Sequence, residues 1–131
     1  MSSSLPDIQC LSTDRAPGAA GHYSQAVVHG GLVYVAGQLP RVPGETAIRI
    51  DSIEEQTRQV LKNVEEILLA AGSGLDRVLR MTVYISDIGL WSRVDAVYAE
   101  VMGEWRPART VVPANTLHHG FQIEIDAIAA L

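Results

Sequence analysis

The chain has 131 residues, 47% of them hydrophobic and 19% charged, a balance that supports one hydrophobic core and argues against disorder. Its net charge of −5, with ten cations that cluster on no segment, lacks the concentrated basic surface that nucleic-acid phosphates reward. Cys10 is alone, so no intrachain disulfide forms, and no apolar run approaches the ~18 residues needed to span a bilayer.

Met1 to Leu11 lacks the basic start and apolar stretch of a signal peptide, which makes the cytoplasm the expected location. Ile8 to Ser12 reads as a short strand, with Cys10 an ordinary strand cysteine that has no local activating base. Arg15 to Gly21 reads as a loop, rich in residues that permit tight backbone angles. Two strands follow, Ser24 to His29 and Leu32 to Ala36, and Gly30-Gly31 between them suits a hairpin turn that needs positive φ. Gly37-Gln38-Leu39-Pro40 closes the second strand, and a Pro/Gly-rich loop runs on to Thr46.

Ser52 through Ala71 predicts a helix. Ser52 and Glu55 have capping-box spacing, Gly72 supplies the stop, and Val60, Leu61, Val64, Ile67, Leu68 and Ala71 form one apolar stripe. Asp76 to Ser86 alternates as a long strand with Leu79, Met81, Val83 and Ile85 on one face. Asp87 is placed to cap a second helix with the apolar face Leu90, Val94, Val97, Tyr98 and Val101. Strands at about Arg109 to Pro113 and Phe121 to Ala129 close the chain.

This order, β-β-β-α-β-α-β-β, predicts one α+β domain over residues 1–131, two helices packed on one face of a mixed sheet. The other face would carry Thr82, Tyr84, Gln122, Glu124 and Ile128. Such a mixed surface suits burial against copies of the same chain, with its polar groups gathered into a site.

The chemistry-bearing pair is Arg109, in Pro107-Ala108-Arg109-Thr110, and Glu124, on two strands taken to be neighbours. An arginine fork donates two parallel hydrogen bonds to a carboxylate, and a nearby glutamate can hold or deprotonate a water. Spacing alone leaves open the plainer reading of an exposed arginine and a solvated strand carboxylate. Only Lys62 among the cations is a lysine, and its mid-helix place reads as solvated rather than as a Schiff-base former. His118-His119 are adjacent, rarely chelate one metal together, and have no suitably spaced third ligand, so no metal is expected.

Ordered landmarks cover the chain from about Arg15 to Ala130. They are Arg15-Ala16-Pro17, Gly21-His22-Tyr23-Ser24-Gln25-Ala26, Gly37-Gln38-Leu39-Pro40, Glu55-Gln56-Thr57, Leu61-Lys62-Asn63 and Ala70-Ala71-Gly72. Met81-Thr82-Val83-Tyr84-Ile85-Ser86-Asp87, Pro107-Ala108-Arg109 and Ile123-Glu124-Ile125-Asp126-Ala127-Ile128-Ala129 complete the set. Together they resemble the Rid family, the reactive intermediate deaminases or YjgF-type proteins, also called the L-PSP endoribonuclease family. The resemblance implies a chorismate-mutase-like sandwich, a homotrimer with sites between subunits, and no cofactor. It implies hydrolysis of enamines and imines such as 2-aminoacrylate to a 2-keto acid and ammonia. Arg109 would bind the substrate carboxylate and Glu124 would order the water. Tyr23 would line the pocket from the neighbouring subunit, with Ala36, Gly37, Asp95 and Val111 as further walls.

Several positions depart from the family pattern. His22 replaces the usual proline, and it reads either as a proton donor or as a solvated loop histidine. Ala36 stands where serine is frequent, Val111 where cysteine is frequent, and Asp95 where deaminases present asparagine. Arg109 and Glu124 favour a deaminase acting on a small carboxylate. The altered walls keep two alternatives open: an enzyme for a larger unsaturated amino acid or pathway intermediate, and a non-catalytic carboxylate-binding regulator. Ribonuclease activity fits poorly with the acidity and the scarcity of lysine.

Overall fold

The computed structural model describes residues 7–131; the first six residues, part of the stretch read above as lacking a signal peptide, lie outside it. Eight elements follow in the expected order: β1 (Gln9–Leu11), β2 (Ala26–His29), β3 (Leu32–Gln38), α1 (Ile53–Ala70), β4 (Val78–Ile85), α2 (Trp91–Met102), β5 (Ala108–Pro113) and β6 (Ile123–Ala130). The strands form one sheet in the order β1-β2-β3-β6-β4-β5. Every pairing is antiparallel except β4 with β5, which are joined through the α2 crossover and run parallel.

The period-2 pattern of β6 sets the layers. Ile123, Ile125, Ala127 and Ala129 are buried under the helices, while Glu124, Asp126 and Ile128 turn to the other face. Against them pack Val60, Leu61, Val64, Ile67 and Leu68 of α1 and Val94 and Tyr98 of α2, from the stripes that helical periodicity predicted, joined by Met102, which the predicted stripe did not include. No helix among the described residues is long and apolar enough to cross a membrane.

Local chemistry explains the boundaries. Gly30 and Gly31 have φ of 60° and 79°, which lets β2 turn directly into β3. Ser52 Oγ accepts the Glu55 N–H at 3.2 Å, half of a capping box; the Glu55 carboxylate pairs with Arg58 at 2.7 Å instead of returning to the cap. α1 ends in a Schellman motif, with Gly72 at φ 83° and the Ser73 N–H donating to the Leu68 carbonyl at 2.8 Å. Asp87 accepts the Gly89 N–H at 2.8 Å and caps a short 3-10 turn that runs into α2.

One strand expectation needs correction. Leu75–Arg77 is a 3-10 turn, so β4 begins at Val78 rather than Asp76. The register against β6 then slips between Val78 and Arg80, so Val78 points inward and Leu79 outward, 47% exposed. Strict alternation resumes at Met81. The opposite sheet face carries half-buried Thr82, Tyr84, Glu124, Asp126 and Ile128, uncovered by either helix. Gln122 lies just before β6 and is tied to α1: its N–H donates to Gln56 Oε1 at 2.9 Å, and Gln56 Nε2 donates to its Oε1 at 3.0 Å.

Candidate active site

Glu124 sits where β3 bends away from β6. The ladder between them shifts register between Val35 and Gln38, which leaves Ala36 and Gly37 out of regular pairing. Gly37 leaves room by close approach rather than by φ, because a Cβ there would meet the flexible end of the Glu124 side chain. Around that carboxylate opens a cavity of about 460 Å³, walled by Tyr23, Ala36, Gly37, Arg41, His118 and His119 among others.

Two buried amides hold the loops that form these walls. Gln25 Oε1 accepts the Thr13 N–H at 2.7 Å, and its Nε2 donates to the Pro17 carbonyl at 2.8 Å, fixing the loop that leads to Tyr23. Asn63 of α1 donates to the Leu39 and Arg41 carbonyls at 3.0 and 2.8 Å, fixing the segment after β3. His119 adopts φ 61°, an uncommon backbone state for a side-chain-bearing residue, and it turns the two histidines onto the cavity.

Burial raises the Glu124 pKa, and the Asp126 carboxylate raises it further, against a smaller opposing effect of His118. Asp126 accepts a hydrogen bond from the Tyr84 hydroxyl at 3.2 Å on the same open face. Glu124 is therefore a stronger base than a free glutamate.

Arg109 lies elsewhere. Its guanidinium sits 4.6 Å over the Trp91 ring and 4.8 Å over the Tyr98 ring, both on α2, and Nη1 donates to Asp95 Oδ1 at 2.8 Å. A second cavity, of about 440 Å³, opens beside it and is lined by Asp95, Tyr98, Trp105, Arg106 and Arg109. Burial raises the Tyr98 pKa, and its hydroxyl is buried with no hydrogen-bond partner among the described residues.

The expectation that the strands of Arg109 and Glu124 are neighbours is corrected here. Because α2 carries the chain across the sheet, β5 docks on the far side of β4, and β4 separates it from β6. Arg109 pairs in register with Met81, whose side chain faces the helices, whereas Glu124 pairs with Tyr84 on the open face. Within one chain the two groups line different cavities on opposite faces. Tyr23, Ala36, Gly37 and Glu124 come together in one; Arg109 and Asp95 in the other; Val111 packs against the core and lines neither. His22 is exposed and outside both walls.

Sequence reasoning missed Arg41, the packing of Arg109 against the Trp91 and Tyr98 rings, and the two loop-holding amides. The positions of Trp91 and Tyr98 in the second helix carried a signal, since a residue seven places before another lies near it on the same helix face. Arg41 carried none beyond following Gly-Gln-Leu-Pro. Among the described residues, no group of three or more His, Cys, Asp or Glu gathers as a metal site.

Known proteins resemble this arrangement over almost the whole chain. A RutC family protein of Pyrococcus horikoshii is 42% identical over 121 residues, covering 92% of this chain and 96% of the relative. The human 2-iminobutanoate/2-iminopropanoate deaminase is 37% identical over 119 residues, covering 91% of this chain and 87% of the relative. The crystal structure of Escherichia coli TdcF with bound serine superposes with a TM-score of 0.88 at 35% identity, covering 94% of this chain and 98% of that one. A family model described as Endoribonuclease L-PSP matches residues 13–131, and the chain belongs to that family, the Rid or YjgF-type proteins.

Proposed function

We propose that this protein is a hydrolytic deaminase of small enamine and imine acids, and that it acts at sites completed between the subunits of a homotrimer. The observation that carries the reading is the Glu124 carboxylate, seated against Gly37 in a walled cavity with its proton affinity raised. The human relative's name, an imine deaminase, supports the same chemistry. Serine bound to the E. coli relative supports an amino-acid-sized ligand. The Arg109 surface of one subunit would face the Glu124 cavity of the next, bringing together groups that one chain holds apart.

In this scheme Arg109 holds the substrate carboxylate through its fork. Trp91, Tyr98 and Asp95 pre-set the guanidinium, so little ordering is left for the moment of binding. Glu124 accepts a proton from a water as the water oxygen bonds to the imine carbon and the C=N π pair moves to nitrogen. From the protonated imine this gives a neutral carbinolamine, and Glu124 returns its proton to the nitrogen. As the C–N bond breaks, the hydroxyl oxygen forms the C=O of the 2-keto acid and gives its proton to the Glu124 carboxylate, and ammonia leaves. An imine carbon is already electrophilic, so positioning and one base suffice, with no protein nucleophile.

A second reading has its own observation. Arg41 lines the Glu124 cavity and makes no ion pair among the described residues. It would suit a larger substrate with a second anionic group. The test generates 2-aminoacrylate and imines of several amino acids, dicarboxylic ones included, and follows keto-acid release with and without the protein. Acceleration of the short monocarboxylic imines supports the first reading, and acceleration confined to the dicarboxylic ones the second. No acceleration with any imine leaves a non-catalytic carboxylate binder.

A further inference from the structure

The Arg109 anchor arrives already paired. Its guanidinium donates to Asp95 Oδ1 at 2.8 Å, and the two side chains are 28% and 47% exposed, so both groups are open to a ligand in the adjoining cavity. Asp95 Oδ2 accepts no hydrogen bond among the described residues. Asp95, Arg106 and Arg109 are the charged groups in the wall of that cavity, so one anion stands among two cations. Trp91 and Tyr98 flank the guanidinium with ring faces, which pin it without neutralising it.

A carboxylate seated on Arg109 therefore lies beside a fixed second carboxylate. What the ligand carries on the carbon next to its own carboxylate then decides the sign of the interaction. A protonated imine or an ammonium group presents N–H donors and positive charge to Asp95, and its nitrogen finds the free Oδ2. A 2-keto acid presents only carbonyl lone pairs there and meets repulsion. We propose that Asp95 makes the Arg109 site selective for α-carboxylates with a cationic nitrogen on the adjoining carbon, over the corresponding 2-keto acids. The selectivity rests on the proposed role of Arg109 as the carboxylate anchor. It deepens that role by assigning the substrate's ionic form, and it gives a reason for the keto-acid product to leave.

The test compares two stable ligands of equal chain length, L-2-aminobutanoate as the zwitterion and 2-oxobutanoate as the plain anion. Both are titrated by calorimetry into the wild-type protein, Asp95→Asn, Asp95→Glu and Arg109→Ala, with thermal melts confirming that each variant is folded. Wild type should favour the zwitterion. Asp95→Asn should reduce that preference by about tenfold, the size expected for losing one hydrogen bond to a charged group. The change should come from tighter keto-acid binding as well as weaker amino-acid binding, and Asp95→Glu should restore part of the preference.

Equal shifts of both ligands in Asp95→Asn would mean that Asp95 only orients the guanidinium, and the proposal falls. It falls equally if wild type favours the keto acid. Arg109→Ala separates the two levels. Loss of both ligands there with an unchanged Asp95→Asn ratio sinks the selectivity alone, whereas undiminished binding in Arg109→Ala sinks the anchor and the selectivity with it.

Discussion

The Glu124 cavity and the Arg109 edge hold their polar groups by opposite means. Glu124 is kept by exclusion: the missing Cβ at Gly37 makes room for its carboxylate beside a break in the β3–β6 ladder, and partial burial takes it out of water. Arg109 is kept by attraction, between two aromatic faces and one carboxylate, on an edge strand whose residues from Ala108 to Thr110 are exposed. Exclusion raises the chemical potential of a charge and so prepares a base. Attraction preserves a charge and so prepares an anchor.

Replacing Glu124 breaks this comparison most severely. Glu124→Gln should lower imine hydrolysis by about a hundredfold to ten-thousandfold, the usual worth of a positioned base, while binding of a keto acid persists. Stability should move the other way. A carboxylate whose folded pKa is raised contributes fully below its unfolded value, and that contribution is lost as pH rises through the folded value. Glu124→Gln should therefore melt higher than wild type at neutral pH, with the gap closing in acid. A variant that melts lower at neutral pH would show that the carboxylate is not held against its preference.

Gly37→Ala tests exclusion directly. The new methyl should displace the flexible carboxylate rather than the backbone, leaving the melting temperature near wild type. Catalysis should fall by up to about a hundredfold, as expected for a reacting group moved by about an ångström. Normal turnover would mean that this carboxylate position is not the working one.

Arg109→Ala should raise KM by about ten- to hundredfold through loss of a charge-assisted contact, and Arg109→Lys should recover little of it because a point charge cannot replace the fork. Its sharper use is in mixture. Glu124→Gln and Arg109→Ala chains, unfolded and refolded together, should regain activity that neither has alone, since some mixed assemblies would hold one intact pair. Light scattering should report a trimer for both; a stable monomer, or a mixture that stays inactive, would show that the halves do not meet between subunits.

The smallest effect belongs to the helix layer. Arg93 grips Glu54 through two contacts of 2.8 Å and lowers its pKa to about 2, tying the start of α1 to α2. The stabilisation is present above the ordinary glutamate pKa and is lost as pH falls toward about 2. Arg93→Ala should lower the melting temperature slightly at neutral pH, with no difference from wild type at the acid end. An unchanged melting curve at every pH would leave the pair without a structural role.

Element type and order were legible because apolar period and turn chemistry agreed along most of the chain. The Gly30-Gly31 hairpin, the Ser52 cap and the Gly72 stop each act within a few residues. Leu79 was misassigned because a bulge is set by the partner strand, and alternation within β4 carries no trace of the register slip against β6. The site was legible by residue and not by geometry. Arg109 and Glu124 stand out as chemistry, yet their placement on opposite faces follows from the α2 crossover, a non-local fact. The Asp95–Arg109 contact was not legible, since it depends on how α2 lies against β5.

β5 has one neighbour in the sheet, and α2 is the segment that delivers it there. Its outward N–H and C=O groups face no partner strand, so opening this edge breaks fewer ladder bonds than opening β6 at the centre. The anchor thus rides on an edge of the sheet, while the base rides on a strand paired along both sides. Local opening at this edge would disturb the anchor before the base, so amide hydrogen exchange is expected to be faster in β5 than in β6.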